Sequence, residues 1–240
     1  MLSLLRTPRW AIATAVVVAV CFVFASLGQW QLRRHGERQI ENTVNAARLA
    51  SEPVDLGLLL AAAGGDVTSL QFRPTVLSGV FHPEDEIFVR SQVAGERPGF
   101  HVVSPLLTGE GTVLVNRGWV PLAAEAPPVS EVAPPPGVVT VAGLVRTSQE
   151  RPSVGPTEPE GRLSIVARID LDRLSAQYDD LAPVWIQQTD PVDGPLPVRV
   201  PVPDVHDPGP HLPYAVQWYS FAAITAGGFV LLMRRAAGGT

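Results

Sequence analysis

The feature that most constrains this chain is an uncharged apolar run near its carboxyl end. From Tyr214 to Met233 there are twenty residues without a charge, and Arg234 and Arg235 follow at once. At about 1.5 Å per residue, a helix of that length crosses a hydrocarbon core of roughly 30 Å. Pro213 suits the first helical position, where a missing N–H costs nothing, and the arginine pair falls where the helix would meet headgroups. A second apolar run, Trp10 to Leu27, follows Arg6 and Arg9 and ends before Trp30, Arg33 and Arg34. A signal peptide is the competing reading of this run, because Val23-Phe24-Ala25 loosely fits a small-residue cleavage pattern. The run is longer than the ~7–15 residue apolar core of a signal peptide, however, and a tryptophan followed by arginines is an interfacial anchor. The expected architecture is a membrane protein of α+β class, with two transmembrane helices flanking an extramembrane antiparallel β-rich domain that carries short helices. The boundaries read as a tail over 1–9, a span over 10–30, the β-rich domain with proline-rich loops over 31–213, a span over 214–233 and a tail over 234–240.

Two spans place both termini on one side of a membrane. The tails offer Arg6, Arg9, Arg234 and Arg235, and the loop side offers Arg33, Arg34 and Arg38, so the positive-inside rule favours cytoplasmic tails only narrowly. Between His35 and Pro213 there are 12 arginines and 23 acidic residues, a net charge of −11. That balance argues against nucleic acid as a partner. All 18 basic residues are arginine, which removes any catalytic-lysine or Schiff-base chemistry. The lone cysteine, Cys21, lies inside the first apolar run. No disulfide, Cys-x-x-Cys pair or paired-thiolate metal site can form within one chain.

After the first span, Gln31 to Ala50 keeps a helical composition, and Glu52-Pro53 breaks it. A short helix is expected within Val54 to Ala63, ahead of the Gly64-Gly65 stop. From Leu70 the period changes. Phe72–Phe81, Glu86–Val93, Gly99–Leu107, Thr112–Val120 and Val138–Arg146 are strand-length runs separated by turn residues, the pattern of an antiparallel sheet or partial barrel. Shorter strands are expected at Ser164–Ile169, Val184–Gln188 and Leu196–Val200, with a helix over Asp170–Tyr178 that Asp170 can cap. Proline-rich connections occupy Pro127–Pro136, Pro152–Gly161 and Asp190–Pro210.

The soluble segment offers little catalytic chemistry. Ser91, Ser104, Ser130 and Ser164 lack a G-x-S-x-G setting, and Gly109-Glu-Gly111 is a hairpin turn. Glu84, Asp85 and Glu86 read as a solvated turn, and His101 as a surface or satisfied core side chain. In Leu114-Val-Asn-Arg-Gly-Trp-Val-Pro121, alternation puts Arg117 on one face with Val113, Val115 and Trp119 unless Gly118 marks a bulge. An arginine so placed needs an acidic or carbonyl partner, and it reads either as a structural ion pair or as an anion or propionate contact.

The second span is richer. His211, Tyr214, Trp218 and Phe221 recur at three- and four-residue steps with Gln217 beside them, so an imidazole, an amide and three aromatic rings share one side of a helix. Tryptophan and tyrosine collect at membrane interfaces for amphipathicity alone, yet a histidine and a glutamine beside a span are functional candidates. Histidine is also the commonest axial ligand of haem iron.

Several stretches together resemble the Surfeit-locus family of cytochrome c oxidase assembly factors. They are Leu27-Gly-Gln-Trp-Gln-Leu-Arg33, which contains Gly28, Trp30, Gln31 and Arg33; Gly79-Val-Phe81; Pro98-Gly-Phe100 with Pro105-Leu106; Val113 to Pro121, which contains Asn116, Arg117, Gly118 and Trp119; Gly143-Leu-Val-Arg146; and His211-Leu-Pro-Tyr-Ala-Val-Gln-Trp218. The order is the family's and nearly the whole chain is covered. The chain departs from the family pattern at Pro208, Gly209 and Pro210, and at Ser164-Ile-Val-Ala-Arg168.

The resemblance implies two spans around an extracytoplasmic domain and a non-enzymatic role in maturing subunit I of a haem-copper oxidase, by delivering or inserting haem a. It implies haem a held transiently, with His211 as a ligand of the haem iron and Tyr214, Gln217, Trp218 and Phe221 around it. The implied partners are cytochrome c oxidase subunit I, haem a synthase and membrane lipid. The alternative is a structural scaffold that binds apo-subunit I and the synthase without binding haem. A span that starts near Trp10 leaves little room for an Arg-rich mitochondrial leader, so the expected location is a bacterial plasma membrane with both termini cytoplasmic.

Overall fold

The computed structural model describes residues 7–150, 159–191 and 194–238. Arg6 of the expected amino-terminal tail and most of the Pro152–Gly161 connection therefore lie outside the described residues. The chain divides into two compact units. One holds residues up to Val44 together with Asp204 onward, and the other runs from Asn45 to Pro203.

The first unit is a pair of helices, each long and apolar enough to cross a membrane: α1 (Pro8–Leu49) and α4 (His211–Gly238). α1 runs without interruption from the apolar run into the polar stretch, because nothing before Ser51, Glu52 and Pro53 breaks the helical composition. α4 begins at His211, so Pro213 is third in the helix, still within the first turn where N–H groups lack intrahelical acceptors. The helices lie antiparallel. Trp10 packs on Phe229 with ring centroids 6.3 Å apart near one end, and His211 meets Gln31 toward the other. Their outer faces carry exposed apolar side chains such as Ile12, Phe22 and Ile224.

The second unit is a β-rich domain whose sheet closes on itself. Its elements in chain order are β1 (Val54–Asp55), α2 (Leu56–Ala63), β2 (Pro74–Phe81), β3 (Ile87–Ala94), β4 (Arg97–Thr108), β5 (Gly111–Pro121), β6 (Val138–Arg146), β7 (Ile165–Val166), α3 (Leu171–Leu174) and β8 (Leu181–Gln188). The ring runs β2-β6-β8-β5-β4 and returns to β2 through Val80 with Leu107 and Phe81 with Leu106. β3 is added outside β4, β7 beside β3, and β1 beside β2. The expectation of an antiparallel sheet needs correction, because β1 with β2, β3 with β7 and β5 with β8 are parallel pairs. The long connection from β5 through β6 to β8 lets the last strand enter alongside β5 in the same direction. Strand-forming composition reports the strands and leaves their pairing sense open.

One core fills the ring, where Leu77, Leu106, Val113, Val115, Val141, Val184 and Ile186 meet Leu56 and Leu59 of α2. A second packs Ile87, Val103, Leu114 and Trp185 against Ile169, Leu171 and Leu174. β5 is buried on both faces, which is why its sequence reads as a near-continuous apolar run. α2 is capped by Asp55, whose carboxylate accepts from the Leu58 N–H, and is ended by Gly64 at φ +54°. Asp170 caps α3 through Arg173 N–H, but the helix is one turn long, not the expected Asp170–Tyr178. The Ser164–Ile169 strand contracts to two residues. The Leu196–Val200 strand reduces to one bridge between Trp119 and Val198, since Pro195, Pro197 and Pro201 remove the N–H donors a ladder needs.

Candidate functional site

The aromatic stripe of α4 divides between packing and exposure. Trp218 and Phe221 both lie against Phe24 of α1, with ring centroids 5.7 and 5.8 Å away, and meet each other edge to face. Tyr214 and Gln217 are exposed. Gly28 lets the two helices approach, because a Cβ there would stand 2.9 Å from Cζ of Tyr219. Small residues at a helix pair do this generally. The Tyr219 hydroxyl then donates to Gln29 Oε1 at 3.3 Å. Of the other motif residues at the end of the first apolar run, Trp30 and Arg33 are exposed.

His211 is half-buried at the start of α4, with Nδ1 2.9 Å from Oε1 of Gln31. An amide oxygen only accepts, so Nδ1 donates, and in the neutral ring the lone pair is then on Nε2. This is the arrangement by which a metal-ligating imidazole is oriented through its other nitrogen. Gly209 sits at φ +69°, where a Cβ would lie 3.5 Å from Nε2. Its N–H donates to Oδ1 of Asp207 in an Asx turn, and Asn42 of α1 donates from Nδ2 to the Asp207 carbonyl at 2.8 Å. The Pro208-Gly209-Pro210 departure from the family pattern thus forms a fixed turn beside the imidazole. Sequence spacing could place His211 on a helix face, but Gln31 as its partner and Phe24 as the floor under Trp218 are set by helix pairing.

The motif in β5 serves a different purpose. Opposite β4, Val102 pairs with Gly118 and Val103 with Asn116, so Arg117 is the extra residue of a bulge. Gly118 at φ +133° accommodates it, with the Val198 carbonyl 2.5 Å from where a Cβ would be. Asn116 Oδ1 accepts from the Gly118 N–H at 3.1 Å. Arg117 turns into the interior and donates to Glu86 Oε1 at 2.8 Å, to Ser104 Oγ at 3.4 Å and to the Val132 carbonyl. Glu86 was expected in a solvated turn; Glu84 and Asp85 remain partly in water, but the Glu86 side chain is 1% exposed. The signal in the sequence was its place directly before Ile87-Phe88-Val89, at the mouth of an apolar strand. Burial pushes the Arg117 pKa down and the Glu86 charge opposes that. This is a structural ion pair rather than an open anion contact. Trp119 is buried inside β5, with the Arg97 guanidinium 5.1 Å from its ring. Among the described residues, no three His, Cys, Asp or Glu side chains converge as a metal site.

The family model for the SURF1 family matches residues 18–223. A SURF1-like protein of Mycobacterium tuberculosis is 31% identical over 230 residues, covering 93% of this chain and 83% of that protein. Surfeit locus protein 1 of Homo sapiens is 28% identical over 221 residues, covering 83% of this chain and 70% of the human protein. The chicken protein of the same name is 26% identical over 244 residues. The match runs from within α1, through the whole barrel, into the first half of α4, and the chain belongs to the SURF1 family.

Proposed function

We propose that this protein is a membrane-bound assembly factor for a haem-copper oxidase and that it holds haem a transiently as cargo for subunit I. The observation that carries the haem reading is the orientation of His211. Its Nδ1–H is engaged by Gln31 and its Nε2 has no hydrogen-bond partner among the described residues, at the head of a membrane-length helix. That nitrogen is the group an axial haem ligand requires. Tyr214 and Gln217 stand exposed on the same helix, and Trp218 and Phe221, seated on Phe24, give the site an aromatic wall. A single histidine suits a donor, since transfer requires an affinity the acceptor can exceed. In this reading α1 and α4 span a bacterial plasma membrane, their exposed apolar faces meet lipid, both termini are cytoplasmic and the β-rich domain is extracytoplasmic. The protein's role is binding and positioning, without catalysis.

The test is to co-produce the chain with haem a synthesis and record visible spectra of the purified wild type and His211→Ala. Haem retained by wild type and lost from the variant supports the proposal. The scaffold reading rests on the same exposed helix faces, which suit partner helices as well as lipid. It is favoured if subunit I and the synthase accompany a protein that never carries haem.

A further inference from the structure

A cavity of about 130 Å³ lies in the β-rich domain, lined by Gln92, His101, Asn116, Arg146, Gln149, Trp185 and Gln187 together with three aliphatic side chains. No acidic residue lines it, and Arg146 is its one formal charge. That guanidinium has no carboxylate partner among the described residues. Nη1 donates to Gln187 Oε1 at 2.6 Å, and Nε is buried with no hydrogen-bond partner. The guanidinium carbon lies over the rings of Phe72 and Trp185, 4.8 and 5.2 Å from their centroids. Phe72 itself sits at φ +68°, a conformation bulky residues rarely adopt, so the backbone is strained where it brings a ring to Arg146.

Two other polar groups of the cavity, His101 and Gln149, resolve as donors, while Gln187 is saturated by Arg146 and two backbone carbonyls and Gln92 gives its Nε2 to the Arg90 carbonyl. Asn116 Oδ1 is taken by the Gly118 N–H, so its amide nitrogen faces His101 Nδ1 at 3.2 Å. Nδ1 therefore accepts, and the His101 proton sits on Nε2. Gln149 Oε1 accepts from the Ile169 N–H at 2.8 Å, and its Nε2 has no partner among the described residues. Arg146 is half-buried, and with two neutral donors and no acid lining the cavity it is the cation an anion there would pair with. Burial also pushes the Arg146 pKa down with no neighbouring charge opposing it.

We infer that this cavity binds a carboxylate, paired with Arg146 and flanked by the donors of His101 and Gln149. One positive charge balances a monoanion, and the planar guanidinium edge matches two carboxylate oxygens. The volume admits a short acid or the carboxylate arm of a larger molecule. This inference is independent of haem binding at His211.

The test is thermal unfolding of the full chain in detergent, near neutral pH, in sodium acetate, propionate and hexanoate against chloride and sulfate at matched ionic strength. Acetate or propionate should raise the midpoint saturably where chloride does not, and Arg146→Gln should weaken that response about tenfold or more. Should Arg146→Gln fail to fold, Gln149→Leu is read by the same criterion. Isotope-labelled acetate, followed by saturation transfer to the wild type, gives a second readout. Affinity that falls beyond propionate identifies a free small acid, and affinity that persists with hexanoate identifies the arm of a larger ligand; both support a carboxylate site. No saturable carboxylate effect, an equal response to sulfate, or an unchanged response in the variants overturns the inference.

Discussion

Nδ1 of His211 stands 2.9 Å from the side-chain oxygen of Gln31, a contact that ties the head of α4 to a glutamine 180 positions earlier in the chain. It orients the imidazole and, in the neutral ring, puts the lone pair on Nε2. Replacing Gln31 by Leu removes the acceptor while keeping the helix, and should weaken haem retention about 10–100-fold, the range for lost orienting partners of metal ligands. Gln31→Glu keeps an acceptor and should retain haem. Haem titration monitored in the visible region checks both, and equal affinity for Leu and Gln at 31 would show that the contact does not prepare the ligand.

Gly28 should be intolerant of any side chain. A Cβ would stand 2.9 Å from the Tyr219 ring, so Gly28→Ala should destabilise the helix pair by about 1–3 kcal/mol, as overpacking does. Removing the obstacle with Tyr219→Ala in the same chain should restore part of the loss. Thermal unfolding in detergent micelles measures each, and an additive double variant would place the strain elsewhere.

The Glu86–Arg117 pair should show the asymmetry of buried charges. With side chains 1% and 7% exposed, either Glu86→Leu or Arg117→Met leaves its partner uncompensated and should cost about 3–5 kcal/mol. The double replacement should cost less than the sum of the two. Denaturant unfolding followed by tryptophan fluorescence reads this, with strict additivity as the contrary outcome.

Acid should destabilise the barrel through His101. Burial lowers its pKa from 6.5 to about 4, so the unfolded chain takes up the proton first as pH falls. The contribution is fully present above about pH 6.5, declines between there and about pH 4, and amounts to about 3 kcal/mol over that window. His101→Gln should flatten stability against pH across the same interval. An identical pH dependence in the variant would assign the acid sensitivity to other groups.

Much of the fold could be read from local pattern. The five long strands, the break at Pro53 and the Asp170 cap follow from alternation, proline and capping chemistry, which are properties of neighbouring residues. Pairing sense was hidden because β8 inserts beside β5 from far along the chain, and the Leu196–Val200 strand failed because its prolines outweigh its valines. His211 stood out as a polar ring at a membrane-length helix. Gln31 and Phe24 were legible only as motif and span residues, since what brings them to His211 and Trp218 is the packing of one helix on another. Glu86 was hidden for the same reason: its partner, Arg117, reaches it through a bulge that strand alternation cannot place.

The central claim is that one imidazole holds the cargo, and the visible spectrum of the purified protein co-produced with haem a synthesis tests it most directly. Wild type should show a haem spectrum and His211→Ala should lose it, with the barrel and helices still folded by circular dichroism. Equal haem content in a folded His211→Ala protein would contradict it.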